Sequence, residues 1–238
     1  MNLFNWRPRR NRASSAQSQF HSRSRYYPGF HVHGWLWHHM SIEYELDRVA
    51  RAVAHIQNES HRRQVEGALQ QLAKSVQLHD RVERDQFVPW LQSRALVSVF
   101  DRVQLRLYES RRAQLAHRLE TISVASRSGA SRRMQALLND FVAHYQAGEV
   151  HLAPLVAKHA SEKEQKDHTS RTLSSMSIQE KAFTLVLFSE AVPQNATVCK
   201  ELKDAFRCEV PLFVKKTLLP LWRNTIYTPG LGALRAVK

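Results

Sequence analysis

The segment "HDRVERDQFVPWL", residues 79 to 91, places His79 and Glu83 four positions apart in a stretch that reads as a helix. Residues four apart on a helix stand about 5–6 Å from one another on one face. The pair therefore aims an imidazole and a carboxylate at one point. "HYQAGEVHLAPLV", residues 144 to 156, repeats the spacing from His144 to a Pro ten residues on, but Gly148 stands where the carboxylate would be. A third imidazole, His39, falls on an apolar stripe nearer the N-terminus. Imidazoles and a carboxylate from facing helices are the means by which helical cores hold iron, zinc or manganese. His39, His79, Glu83 and His144 are the candidate ligands.

Four amphipathic helices must position these groups. Trp35, His39, Ile42, Leu46, Val49, Val53 and Ile56 step by four and three along the first. Val65, Leu69, Leu72, Val76, His79, Glu83 and Trp90 do so along the second. The third carries Leu105, Tyr108, Arg112, Leu115, Leu119 and Ile122, and "SRSGAS" at 126–131 separates it from the fourth. There Met134, Leu137, Phe141, His144, Gly148, His151 and Leu155 share a face. Each stripe gives one core position to a polar or basic group, which in the third is Arg112. Short connections make neighbours antiparallel, so the expected class is all-α, an up-down four-helix bundle. Beyond it, "SEKE" at 161–164 and "SIQE" at 177–180 are capping boxes that open two more helices. A last helix runs from about Ala196 toward Trp222, with Pro211 and Pro220 set to kink or end it. This tail either packs on the bundle or forms a small subdomain.

Composition sets further bounds. The 238 residues suit one large domain or two small ones, and seven Gly are too few for a turn-dense β fold. The longest nearly uncharged apolar stretch, "AFTLVLFSEAV", is too short to span a bilayer. Cys199 and Cys208 are the two cysteines and imply no disulfide framework. The net charge is +14, and residues 1–42 hold six Arg and no acid. No basic stripe with interleaved aromatics occurs beyond the N-terminus, so the basic surface points to solvent or a protein partner rather than to nucleic acid. Residues 1–30 are Arg- and Ser-rich and acid-free, the composition of a mitochondrial or plastid transit peptide, or of a disordered basic leader in a cytoplasmic protein. No nucleophile motif, phosphate loop or cofactor fingerprint argues for an enzyme.

"HHMSIEYELDRV" at 38–49, "HDRVERDQFVPWL" at 79–91 and "HYQAGEVHLAPLVAKHASEKEQ" at 144–165 together resemble the hemerythrin-like family, also called the HHE cation-binding domain. The resemblance covers about residues 31–165. It divides the chain into a leader (1–30), a hemerythrin-like four-helix bundle (31–165) and a C-terminal helical extension (166–238). It implies a non-haem, usually di-iron, centre, and a role in binding or sensing iron or a diatomic gas such as O2 or NO. Carried onto this chain, the ligands would be His39 (with His38 as the alternative), His79, Glu83 and His144. Two positions depart from the pattern. Gly148 replaces the fourth-helix carboxylate, with Glu149 turned about 100° away, and Arg112 stands at the third-helix His. Arg cannot be a ligand, but it can pair with Glu83 and put a fixed positive charge where a cation would sit. His151, seven residues from His144, is the substitute ligand considered. The set suffices for one ion and strains to hold two. The other function open to such a chain is a metal-free bundle serving as an assembly module.

Overall fold

The structure, a computed structural model, describes residues 25–93, 99–122, 127–193 and 199–236. The composition of residues 1–24, read above as leader or transit peptide, lies outside the described residues. The described chain is all-helical, with no strand among the described residues. We label the helices α1 (His33–Ala54), α2 (Glu59–Val82), α3 (Val88–Ser93), α4 (Val99–Glu120), α5 (Arg127–His159), α6 (Glu162–Ser175), α7 (Ile178–Ala191), α8 (Lys200–Glu209) and α9 (Leu219–Trp222).

α1 packs along α5 and against α2, and α4 closes the ring by touching both α2 and α5. α7 lies on the remaining flank of α1. The helix ends obey local chemistry. The Asn58 side chain accepts from the His61 amide at 2.9 Å and starts α2. Ser161 with Glu164 and Ser177 with Glu180 form the two capping boxes at α6 and α7, as their sequence predicts. "SRSGAS" behaves differently from the separator expected of it: α5 begins at Arg127, so most of the motif is helical, and Ala130 is fully buried.

Three π turns, Glu83–Phe87, Val214–Leu218 and Arg223–Tyr227, each begin six residues before a proline, Pro89, Pro220 and Pro229. A proline ring clashes with the carbonyl four residues back and offers that carbonyl no donor. Widening the preceding turn relieves the clash and lets the chain remain helical; the Val88 amide reaches back to the Glu83 carbonyl. The first π turn therefore starts at a candidate ligand.

The core has two parts. One gathers Leu46, Val49, Leu72, Leu115, Met134 and Phe141, and the other Trp35, Trp37, Phe87, Leu91, Val156 and Phe188. α1 runs through both, and His39 sits at their junction. The C-terminal segment packs on the helices rather than apart from them. Tyr227 is buried, donates to Glu45 Oε1 at 2.6 Å and accepts from Arg48. Arg48 also binds Glu45 Oε2 at 2.7 Å and the Leu231 carbonyl at 3.1 Å. At the end of the leader two residues are packed as well: Phe30 belongs to the core and Arg25 is sunk between two carboxylates.

Candidate metal centre

His39 from α1, His79 from α2 and Glu83 from the π turn that continues α2 meet with all three side chains buried. His39 Nε2 and His79 Nε2 are 3.1 Å apart. Glu83 Oε1 is 3.9 Å from His39 Nε2, and Glu83 Oε2 is 3.8 Å from His79 Nε2. Two ligands that each stand about 2.1 Å from one ion are themselves about 3.4–3.6 Å apart. The group has the spacing of ligands to a single ion. His38, the alternative on α1, is buried but lies outside this group, with its Nε2 3.4 Å from Ser75 Oγ.

The two carboxylates are held for different tasks. Glu83 Oε1 accepts from Trp35 Nε1 at 2.7 Å and from the Tyr108 hydroxyl at 3.0 Å, and Oε2 accepts from Arg112 Nη1 at 2.9 Å. An ionised carboxylate has about four acceptor positions. Three are filled, leaving room for one further bond. Glu149 instead accepts from His39 Nδ1 at 2.8 Å, which turns His39 Nε2 toward His79 and Glu83. Metal-ligating histidines characteristically donate their second ring nitrogen in this way. Behind it, Arg25 Nε lies 3.2 Å from Glu149 Oε2, and Arg25 Nη2 lies 2.5 Å from Glu43 Oε1.

Burial works to raise the Glu83 carboxyl, but the imidazoles and the Arg112 guanidinium around it prevail and hold it well below the ordinary carboxylate range. Burial holds His79 far below its ordinary value, in the neutral form that can accept from His39 or bind a cation. For His39 burial is outweighed by the hydrogen bonds and charges of Glu149 and Glu83, which raise it.

Of the four predicted ligands, His144 is not brought into the group. It is buried and stacked on Tyr108, with ring centroids 4.1 Å apart, and its Nε2 has no hydrogen-bond partner. Burial pushes it down to about 3. The row of α5 that meets His39 is the neighbouring one, Tyr145 and Glu149, four apart. Tyr145 stacks on His39 with centroids 4.1 Å apart and planes 9° apart. The 100° turn that sets Glu149 off the His144 row is what carries it to α1, while the His144–Gly148 row faces α4. His151 is exposed and supplies nothing to the centre.

Gly148 has a steric reason. A Cβ there would stand 2.5 Å from Tyr108 Cε2 and 2.9 Å from Cζ. The missing side chain lets the Tyr108 ring lie against α5 with its hydroxyl on Glu83. Arg112 pairs with Glu83 and lies 3.4 Å from Asp80 Oδ1, so its guanidinium fills the α4 side of the centre. His39, His79 and Glu83 could hold one ion; Arg112, Tyr108 and the stacked His144 line the side that faces α4.

No protein-family model, curated protein or solved structure matches this chain.

Proposed function

We propose that this chain is a hemerythrin-like metal-binding protein reduced to one ion, held by His39, His79 and Glu83. The observation that carries the reading is the buried meeting of these three groups with the His39 Nδ1–Glu149 bond behind them. The ring of α1, α2, α4 and α5 supports an up-down four-helix bundle with added C-terminal helices, and the order of the ligand-bearing helices supports the family resemblance. Two imidazoles and one carboxylate with open positions favour non-haem ferrous iron. Bound there, iron would supply an open coordination position in a dry site. The chain's own residues orient and insulate it: Glu149 fixes the His39 ring, Trp35 and Tyr108 fix Glu83, and Arg112 offsets the carboxylate charge. A cavity of about 80 Å³ beside His79 and His38, walled by Trp35, Phe87 and Phe188, suits a diatomic such as O2 or NO better than a larger substrate. The role is then gas or iron handling or sensing, not catalysis on an organic molecule. The acid-free leader composition supports mitochondrial delivery. A cut between Tyr27 and His33 would remove Arg25 from Glu43 and Glu149, so the packing favours a cut before Arg25.

Elemental analysis of protein purified without chelator and reconstituted with ferrous iron tests this. One equivalent or less per chain is expected in the wild type and none in His79→Ala. Two equivalents with an oxo-bridge absorption band would overturn the single-ion reading.

One observation favours a second reading. Arg112 on Glu83, with a protonated His39 between Glu83 and Glu149, balances the buried charge without an ion. The bundle would then be a metal-free module that docks on a protein partner through its basic surface. In that case reconstitution leaves both metal content and thermal stability unchanged.

A further inference from the structure

The segment "VPLFVKKTLLPLW", residues 210–222, is apolar on two sides. Val214, Leu219 and Trp222 face inward and pack on the core. The outward row is Leu212, Phe213, Lys216, Thr217, Pro220 and Leu221, all exposed. Leu212 is 61% exposed, Phe213 64% and Leu221 56%. A surface helix ordinarily keeps its outer face polar; one apolar all round has a second cover.

Charge identifies the cover. From Val210 to Trp222 the segment carries Lys215 and Lys216 and no acid, and the next basic residue, Arg223, is paired with Glu190. A second copy of the chain fits poorly, because a two-fold contact sets the same patch against itself. Lys215 and Lys216 would meet their own copies with no acid on the segment to pair them. Nucleic acid fits poorly too, since sequence-tolerant binding relies on several stacking aromatics, and the outward row offers one, Phe213. Apolar side chains flanked by lysines with no acid match an anionic bilayer surface, where the apolar groups enter the acyl boundary and the lysines stay among the headgroups.

We infer that residues 212–222 form a peripheral docking face for anionic lipid surfaces. The helix lies in the plane of the interface; among the described residues no helix is long and apolar enough to cross a membrane.

Co-sedimentation of the full chain with sucrose-loaded vesicles tests it. Vesicles of phosphatidylcholine alone are compared with vesicles of two parts phosphatidylcholine to one part phosphatidylserine. The wild type is expected to pellet with the second and to remain largely in solution with the first. The double variant Leu212→Ser, Phe213→Ser keeps every charge and alters only exposed side chains. It should bind at least about tenfold more weakly. Lys216→Glu should weaken binding about fivefold or more. Equal pelleting of the double variant would mean that the chain's overall positive charge, not this face, binds the vesicles, and would overturn the inference. So would a wild type that ignores both vesicle types, or a dimer seen by light scattering that the double variant converts to monomer.

Discussion

Substituting Gly148 by Ala sets two known effects against each other. An interior helical Gly→Ala change gains about 1 kcal/mol. Here the new methyl would stand 2.5 Å from the Tyr108 ring, which must move. Moving it breaks the Tyr108 hydroxyl bond to the Glu83 carboxylate, a contact worth about 1.5–3 kcal/mol, and the stack on His144, worth about 0.5–1.5 kcal/mol. The losses exceed the gain by about 1–3.5 kcal/mol. Gly148→Ala should therefore destabilise the protein although it improves helix propensity. The assay is urea unfolding followed by far-ultraviolet circular dichroism, in the wild type and in a Tyr108→Ala background. With the ring gone, the same Ala should be neutral or stabilising by up to about 1 kcal/mol. A Gly148→Ala protein as stable as the wild type, or an equal loss in both backgrounds, would refute the account of Gly148 as the seat of Tyr108. Gly148→Glu, which puts at this position the carboxylate of the hemerythrin-like pattern, should fare worse than Ala for the same reason.

Arg25→Ala leaves Glu43 and Glu149 buried without their cation, which costs about 3–5 kcal/mol. In a chain of this size that lowers the melting temperature by roughly 6–20 °C in scanning calorimetry, and a shift under about 2 °C would show Arg25 to be dispensable. Burial pushes the Glu45 carboxyl up to about 7, against the pull of Arg48 and Tyr227. The folded state then holds a proton that the unfolded chain, with its ordinary value of 4.5, has released. Stability should fall as pH rises from about 4.5 through about 7, by up to about 1.4 kcal/mol per unit. Glu45→Gln should flatten that slope in unfolding curves taken across the window, and an unchanged slope would assign it elsewhere.

The helices were legible because burial imposes a period on the sequence. The α1 and α2 stripes carried His39, His79 and Glu83 to their observed places, and Arg112 meets Glu83 as its stripe position implied. On α5 the same method chose the wrong row. "HYQAGEV" offers two rows 100° apart, His144–Gly148 and Tyr145–Glu149, and both have side chains suited to an interior. The family spacing favours the first; only packing against α1 and α4 distinguishes them. The Tyr145–Glu149 spacing is the signal that was there to be weighed. Arg25 had no local signal at all. Its partners lie 18 and 124 residues away, and its own neighbourhood has the composition of a leader.

The bond from Tyr227 to Glu45 spans 182 residues. Read along the chain in the order of its synthesis, α1 is made early and satisfied late. Until Tyr227 and Leu231 emerge, the buried Glu45 has only Arg48, and Arg48 lacks two of its acceptors. The first helix thus waits on nearly the whole length of chain that follows, and the packing of its most buried acid is a report that the rest has arrived. The surroundings of His39 and the C-terminal clasp are anchored on the same helix, six residues apart, at His39 and Glu45.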